Sequence, residues 1–245
     1  MIATWSNRSF LFLTLSGLAT SMAAGLSASM NFYFLTWFWE FSSKQISFLV
    51  IGVFASAFLA LFTAPRLSRR FGKRASAVSA LALSVVVSLM PMSLRLLGVL
   101  PANHSAALFN IIFIQSIIST ALYIAASTLM SAMIADVVED GELKTGRRSE
   151  GLFFSASTLV AKAVSGMGIL FAAAILSFIH FPVGTKPGDV PVQIIRDLAL
   201  TYIPIIVVVY GAALALLTGY KITRASHAET LVLLAAEAER AATGV

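Results

Sequence analysis

The sequence predicts an all-α membrane protein in which six transmembrane helices form one bundle. Three observations carry that prediction. The chain is 58% hydrophobic and only 11% charged, with a mean hydropathy of +0.90, whereas soluble domains run at roughly 45 to 50% apolar and about 25% charged. Six mainly apolar stretches are each long enough to cross a bilayer, which takes about 20 residues in a helix. The basic residues also fall unevenly on the two sides those stretches define. Strands are excluded because barrel segments alternate over only about ten residues, and backbone groups in hydrocarbon must be satisfied within a helix or a closed barrel.

The bundle is expected over residues 1–220, with spans at 10–38, 46–65, 75–97, 106–135, 151–179 and 198–220, followed by a cytoplasmic tail over 221–245. Span 1 follows Arg8 and has small residues near Ser21 to Ala23, as a secretory signal would. Its apolar run continues through Phe32, Tyr33, Phe34, Trp37 and Trp39, far beyond a signal core of about 7 to 15 residues, and those aromatics read as an outer interfacial belt. Small residues recur every fourth position in span 1 (Gly17, Ser21, Gly25, Ser29) and in span 6 (Gly211, Ala215, Gly219), the spacing of close helix seams. Pro65, Pro91 and Pro204 lie near or within spans as expected kinks. The tail carries an apolar patch at 231–234 and is expected to form either a short surface helix or a solvated, partly frayed end.

Orientation follows from the 17 Lys and Arg residues. Arg8, the run Arg66, Arg69, Arg70, Lys73 and Arg74 between spans 2 and 3, Lys144, Arg147 and Arg148 between spans 4 and 5, and Lys221, Arg224 and Arg240 in the tail share one side. Only Lys44, Arg95, Lys186 and Arg196 face the other. The positive-inside rule makes the first side cytoplasmic, with both termini there and the protein in the cell (inner or plasma) membrane. Membrane lipid is therefore an expected partner and nucleic acid is not. The absence of cysteine excludes disulfides, thiolate metal sites and cysteine nucleophiles.

Within the spans, Lys162 carries the most information. It sits about eleven residues into span 5, about 16 Å from the cytoplasmic end at 1.5 Å per residue, where an ammonium normally faces a cavity or a partner. No acid lies inside a span; Glu40 and Asp136 are at span ends. Either desolvation keeps Lys162 neutral, or its counter-charge comes from another polypeptide. Span 4 places Ser116, Ser119, Thr120, Tyr123, Ser127 and Ser131 at steps of three or four, on one helical face. That face lines a polar cavity or bonds back to its own helix. Asn31 and Gln115 are further polar candidates. Between spans 4 and 5, Asp136 to Gly151 mixes five acids with three bases and three glycines, which suits a switchable salt-bridge lock.

At these loops the chain resembles the carboxy-terminal half of a major facilitator transporter, specifically the glycoside-pentoside-hexuronide:cation symporters, the group of melibiose permease. Arg69-Arg70-Phe71-Gly72-Lys73-Arg74 is similar to the superfamily's loop between the second and third helices of a half, with Arg69 where an acid is usual. The series Ala135-Asp-Val-Val-Glu-Asp-Gly141, Arg147-Arg-Ser-Glu-Gly151 and then Lys162 is more specific to this group. The resemblance implies that Asp136, Arg148 and Glu150 contribute to a cytoplasmic charge network; Glu139, Asp140 and Arg147 of the same mixed-charge loop are further candidates for it, beside the basic loop residues Arg69, Arg70, Lys73 and Arg74. It also implies that Lys162 matches a lysine near the solute and cation site; the polar span residues Ser127, Tyr123, Asn31 and Gln115, read from the sequence itself, are the candidates beside it. The family has twelve helices and holds its cation carboxylates in the amino-terminal half. Its melibiose-type members carry a Trp on the helix matching span 4, and none occurs here between residues 100 and 150.

The expected function is half of a secondary active transporter, in which Na+ or H+, bound mainly by the other half, drives symport of a sugar or related small polar solute by rocking of two bundles. The expected partner is that amino-terminal half or a second copy; a stand-alone homodimeric uniporter is the related alternative. A membrane enzyme or sensor is the alternative of another class. It has little support: His104, His180 and His227 are far apart, and no metalloprotease, nucleophile-elbow or phosphate-loop motif occurs, so no catalytic residue, metal or cofactor is expected.

Overall fold

The computed structural model describes residues 8–145, 150–182, 184–220, 229–230 and 232–233, with side chains for all of these except Arg8, Phe10, 140–145 and 150–157. They form helices α1 (Arg8–Tyr33), α2 (Ser43–Phe71), α3 (Lys73–Leu96), α4 (Ala106–Thr145), α5 (Glu150–Phe178) and α6 (Val192–Leu217), and no strand occurs among them. Each helix contains a stretch long and apolar enough to cross a membrane. The chain is thus an all-α, multi-pass membrane protein.

Local chemistry sets the helix ends. Ser42 caps α2 in a reciprocal box: its hydroxyl accepts from the Gln45 amide, and its own N–H donates to Gln45 Oε1 at 2.9 Å. Gly72, at φ 81°, breaks the chain between α2 and α3 in a region where other residues are strained. Three ends differ from the sequence expectation. α2 continues through Pro65 to Phe71, because the basic residues after the apolar run are good helix formers. α4 runs on to Thr145, so much of the expected mixed-charge loop is helical. α6 begins at Val192, directly after Pro191, and takes in Arg196 and Asp197 ahead of the apolar run. The tail lies almost entirely outside the described residues.

α1 packs mainly against α5 and α6, while α4 packs against α2 and α3. α1 and α5 cross closely. A Cβ added at Gly25 would collide with the Ser165 carbonyl oxygen, and one at Gly168 with the α1 backbone at Gly25 and Leu26. Gly219 has no room for a Cβ beside the Phe12 ring, whereas Gly17 and Gly211 face open space. Of the glycines in the predicted seams, Gly25 and Gly219 are therefore close contacts and Gly17 and Gly211 are not. Gly168 is the partner the every-fourth-residue pattern did not mark.

α1 ends in a π-helical turn over Phe34–Phe38, a local widening of the kind often found at functional sites. The predicted aromatic belt divides here. Phe32 is 58% exposed, but Phe34, Phe38 and Trp39 are buried. Phe34 packs on Tyr202 with ring centroids 4.8 Å apart, and Phe38 lies edge-on to Trp39 at 4.6 Å. These residues close one end of the bundle from inside. At the other end Lys73 Nζ donates to Asp136 Oδ1 at 2.6 Å, and the Tyr220 hydroxyl donates to Asp136 Oδ2 at 3.3 Å. That knot joins the start of α3, the last third of α4 and the chain leaving α6.

Candidate functional site

A cavity of about 630 Å³ opens among α1, α2, α3, α4 and α6. Its polar wall comes first from α4, where Ser116, Ser119, Thr120 and Tyr123 share the face expected from their spacing, with Gln115 beside them. α1 contributes Ser27 and Asn31, α2 Ser56, α3 Ser84 and Ser88, and α6 Tyr202 and Tyr210. Trp39, Phe34 and Leu35 line it from the π-helical turn and the residue after it. None of the lining residues is charged. Such a wall offers hydroxyl and amide hydrogen bonds between apolar and aromatic surfaces, which suits an uncharged polar guest.

Many of the hydroxyls are engaged locally. Ser116 donates to the Phe113 carbonyl at 2.8 Å and Ser119 to that of Ser116 at 3.2 Å, as serines in membrane helices commonly do. The Tyr202 hydroxyl donates to Ser27 Oγ at 2.9 Å, so this tyrosine ties α6 to α1 at the cavity wall. Gln115 has a second task. Proline lacks an N–H and so frees the carbonyl four residues before it; for Pro91 that is Val87, and Gln115 Nε2 donates to the Val87 oxygen at 3.1 Å. The same nitrogen reaches Ser119 Oγ at 3.3 Å. The Asn31 amide, by contrast, lines the cavity with no hydrogen-bond partner among the described residues.

The structure brings Asn31, Gln115 and Tyr123 together but leaves Ser127 and Lys162 outside that wall. Ser127 bonds back to the Ile124 carbonyl at 2.9 Å, about one turn beyond Tyr123. Lys162 is exposed on α5, whose main packing within the chain is against α1, and it has no partner among the described residues. Of the expected charge network, Asp136 pairs with Lys73 of the basic loop. Glu139 is half-buried on the same helix. The Asp140 and Glu150 side chains, and Arg147 and Arg148 altogether, lie outside the described residues. Arg69, Arg70 and Arg74 are exposed, with the Arg70 guanidinium 5.3 Å from the Phe71 ring centre. Sequence reasoning missed Ser56, Ser84, Ser88, Tyr202, Tyr210 and the cavity role of Trp39. The one available signal was the pair of tyrosines eight residues apart in an otherwise apolar span 6.

A family described as MFS/sugar transport protein matches residues 2–224 of the chain. Among curated proteins, the chain is 27% identical over 233 residues to "Uncharacterized symporter sll1374" of Synechocystis sp., covering 92% of this chain and 40% of that protein. It is 28% identical over 195 residues to "Putative glycoside/cation symporter YagG" of Escherichia coli, covering 79% and 39%. It is 24% identical over 234 residues to "Uncharacterized symporter YjmB" of Bacillus subtilis, covering 91% and 46%. The chain thus spans less than half the length of each.

Proposed function

Because the chain belongs to the MFS/sugar transport protein family, we propose that it forms one six-helix half of a secondary active transporter that moves a sugar or related polar solute with Na+ or H+ by alternating access. The observation that carries this reading is the uncharged cavity wall of hydroxyls, amides and aromatic rings, a surface matched to a polyhydroxy guest. In this reading the end carrying Lys73 and Asp136 faces the cytoplasm, as the distribution of basic residues suggests, and the protein lies in the cell membrane. The exposed face of α5, with Lys162 among Leu159, Met167 and Leu170, then meets an amino-terminal half. Carboxylates in that half bind the cation and alternate between it and Lys162, biasing the exchange of inward- and outward-open states.

The test is uptake of labelled neutral sugars into vesicles bearing the complete transporter, with and without a Na+ or proton gradient. Gradient-driven accumulation that is lost in Lys162→Ala and weakened in Asn31→Leu is the expected result. Unchanged accumulation in Lys162→Ala removes the coupling role. Saturable uptake that ignores both gradients removes the symport reading in favour of a uniporter. The exposed α5 face also fits a second copy of this chain, and crosslinking in native membranes separates the two: a specific homodimer favours the uniporter, and its absence favours the two-half transporter.

A further inference from the structure

We propose that Glu40 and His104 form a proton-sensitive clip that seats Trp39 against the cavity. The segment Phe38-Trp39-Glu40 follows the π-helical turn, and the α3–α4 connection holds it from both flanks of Trp39. On one flank Asn103 Nδ2 donates to the Phe38 carbonyl at 3.4 Å. On the other, His104 Nε2 lies 2.9 Å from Glu40 Oε2. Trp39, between them, is buried and lines the cavity.

Two features mark the pair as more than a chance surface contact. Glu40 and His104 both adopt positive φ, at 53° and 65°, a region that residues other than glycine occupy only where their surroundings hold them. The connection is also braced from within, since Arg95 donates to the Pro101 carbonyl at 2.8 Å and to Asn103 Oδ1 at 2.7 Å. The Asn103 tether and the Arg95 brace carry no group that titrates near neutrality, so they persist as pH changes. The His104–Glu40 contact does not. An imidazole changes charge between about pH 5 and 8, and a charge-assisted hydrogen bond is roughly twice as strong as a neutral one.

The sign follows. An imidazolium at position 104 beside the Glu40 carboxylate closes the clip, and a neutral imidazole there holds it less strongly. Other titratable or charged groups at this end are Arg95, fixed as above, Lys44 in the first turn of α2, and His180, Lys186, Asp189, Arg196 and Asp197 where α5 passes to α6. The ring of His104 is mostly exposed, at 74%, so it equilibrates with the bulk solvent on its side. The consequence for transport, an access route to the cavity that loosens as that compartment becomes alkaline, rests on the function proposed above; the clip itself does not.

The experiment reads Trp39 directly. In a Trp5→Phe/Trp37→Phe form of the chain in lipid nanodiscs, Trp39 is the only tryptophan, and acrylamide quenching reports its access to water. The quenching constant should rise about twofold from about pH 5.5 to 8.0, the interval in which imidazole titrates. In His104→Gln and in Glu40→Gln it should stay at the high-pH value throughout. A parent form with no pH dependence, or a dependence that survives His104→Gln, overturns the clip. If the double tryptophan variant does not fold, the comparison is made with all three tryptophans as the difference between parent and His104→Gln, and a zero difference at every pH is likewise fatal. No solute is needed, so failure here leaves the transport reading intact, and failure of transport leaves this one testable.

Discussion

Removing the Gln115 amide should be costly because of Pro91. The Val87 carbonyl has no N–H four residues on, and Gln115 Nε2 replaces that donor at 3.1 Å. Leaving a buried acceptor unsatisfied costs about 1 to 3 kcal/mol. Double-mutant cycles between side chains in membranes average only about 0.6 kcal/mol and reach about 1.7. Gln115→Leu should therefore destabilise the chain by about 1 to 2 kcal/mol. In a Pro91→Ala background the new N–H at position 91 takes over the Val87 carbonyl, and the same substitution should cost less. The bond to Ser119 is lost in both backgrounds and cancels, so a coupling of about 0.5 to 1.5 kcal/mol between positions 91 and 115 is expected. The cycle is measured by reversible unfolding in mixed micelles, followed by far-UV circular dichroism. Equal costs in the two backgrounds, within about 0.3 kcal/mol, would refute the assignment of Gln115 to the proline's orphaned carbonyl.

Gly168→Val should lower the thermal midpoint sharply, since its side chain meets the α1 backbone and overpacking costs about 1 to 3 kcal/mol; Gly211→Ala, facing open space, should change it little, and size-exclusion profiles after heating compare the two. Asp136→Ala removes the carboxylate that half-buried Lys73 and Tyr220 donate to, a loss of about 1.5 to 3 kcal/mol for hydrogen bonds to a charged group. Adding Lys73→Met to that variant should recover part of the loss in the same unfolding assay. Tyr202→Phe should cost about 1 kcal/mol through its bond to Ser27, and Ser27→Ala should add little to it. Additive losses would show that the pair is not coupled.

The six helices were legible because a span of apolar residues has no alternative in hydrocarbon. Their ends were less so. The α2 continuation to Phe71 and the α4 continuation to Thr145 run through charged residues that a hydropathy reading places in loops, although those residues are good helix formers. The hydroxyl face of α4 was legible from its spacing, and four of its six residues line the cavity. The contributions of α3 and α6 were not, because a tyrosine in an apolar span reads equally as core, belt or cavity until the neighbouring helix is known. Helix adjacency is the missing information throughout. Gly25 meets Ser165 across 140 residues of chain, and no local pattern encodes that distance.

Adjacency also separates two amides that the sequence left equivalent. Asn31 and Gln115 are each a polar residue in an apolar helix, and each lines the cavity. A membrane helix bent by proline needs its freed carbonyl satisfied by something, and Gln115 meets that need at Val87. Its donor is committed to the fold, and drawing it toward a solute would reopen the defect at Pro91. Asn31 carries no such commitment among the described residues, so its donors and its acceptor can bind a guest without loss elsewhere. Of the two, Asn31 is therefore the residue whose substitution should alter solute affinity while leaving stability nearly unchanged, and Gln115 the one whose substitution should alter both.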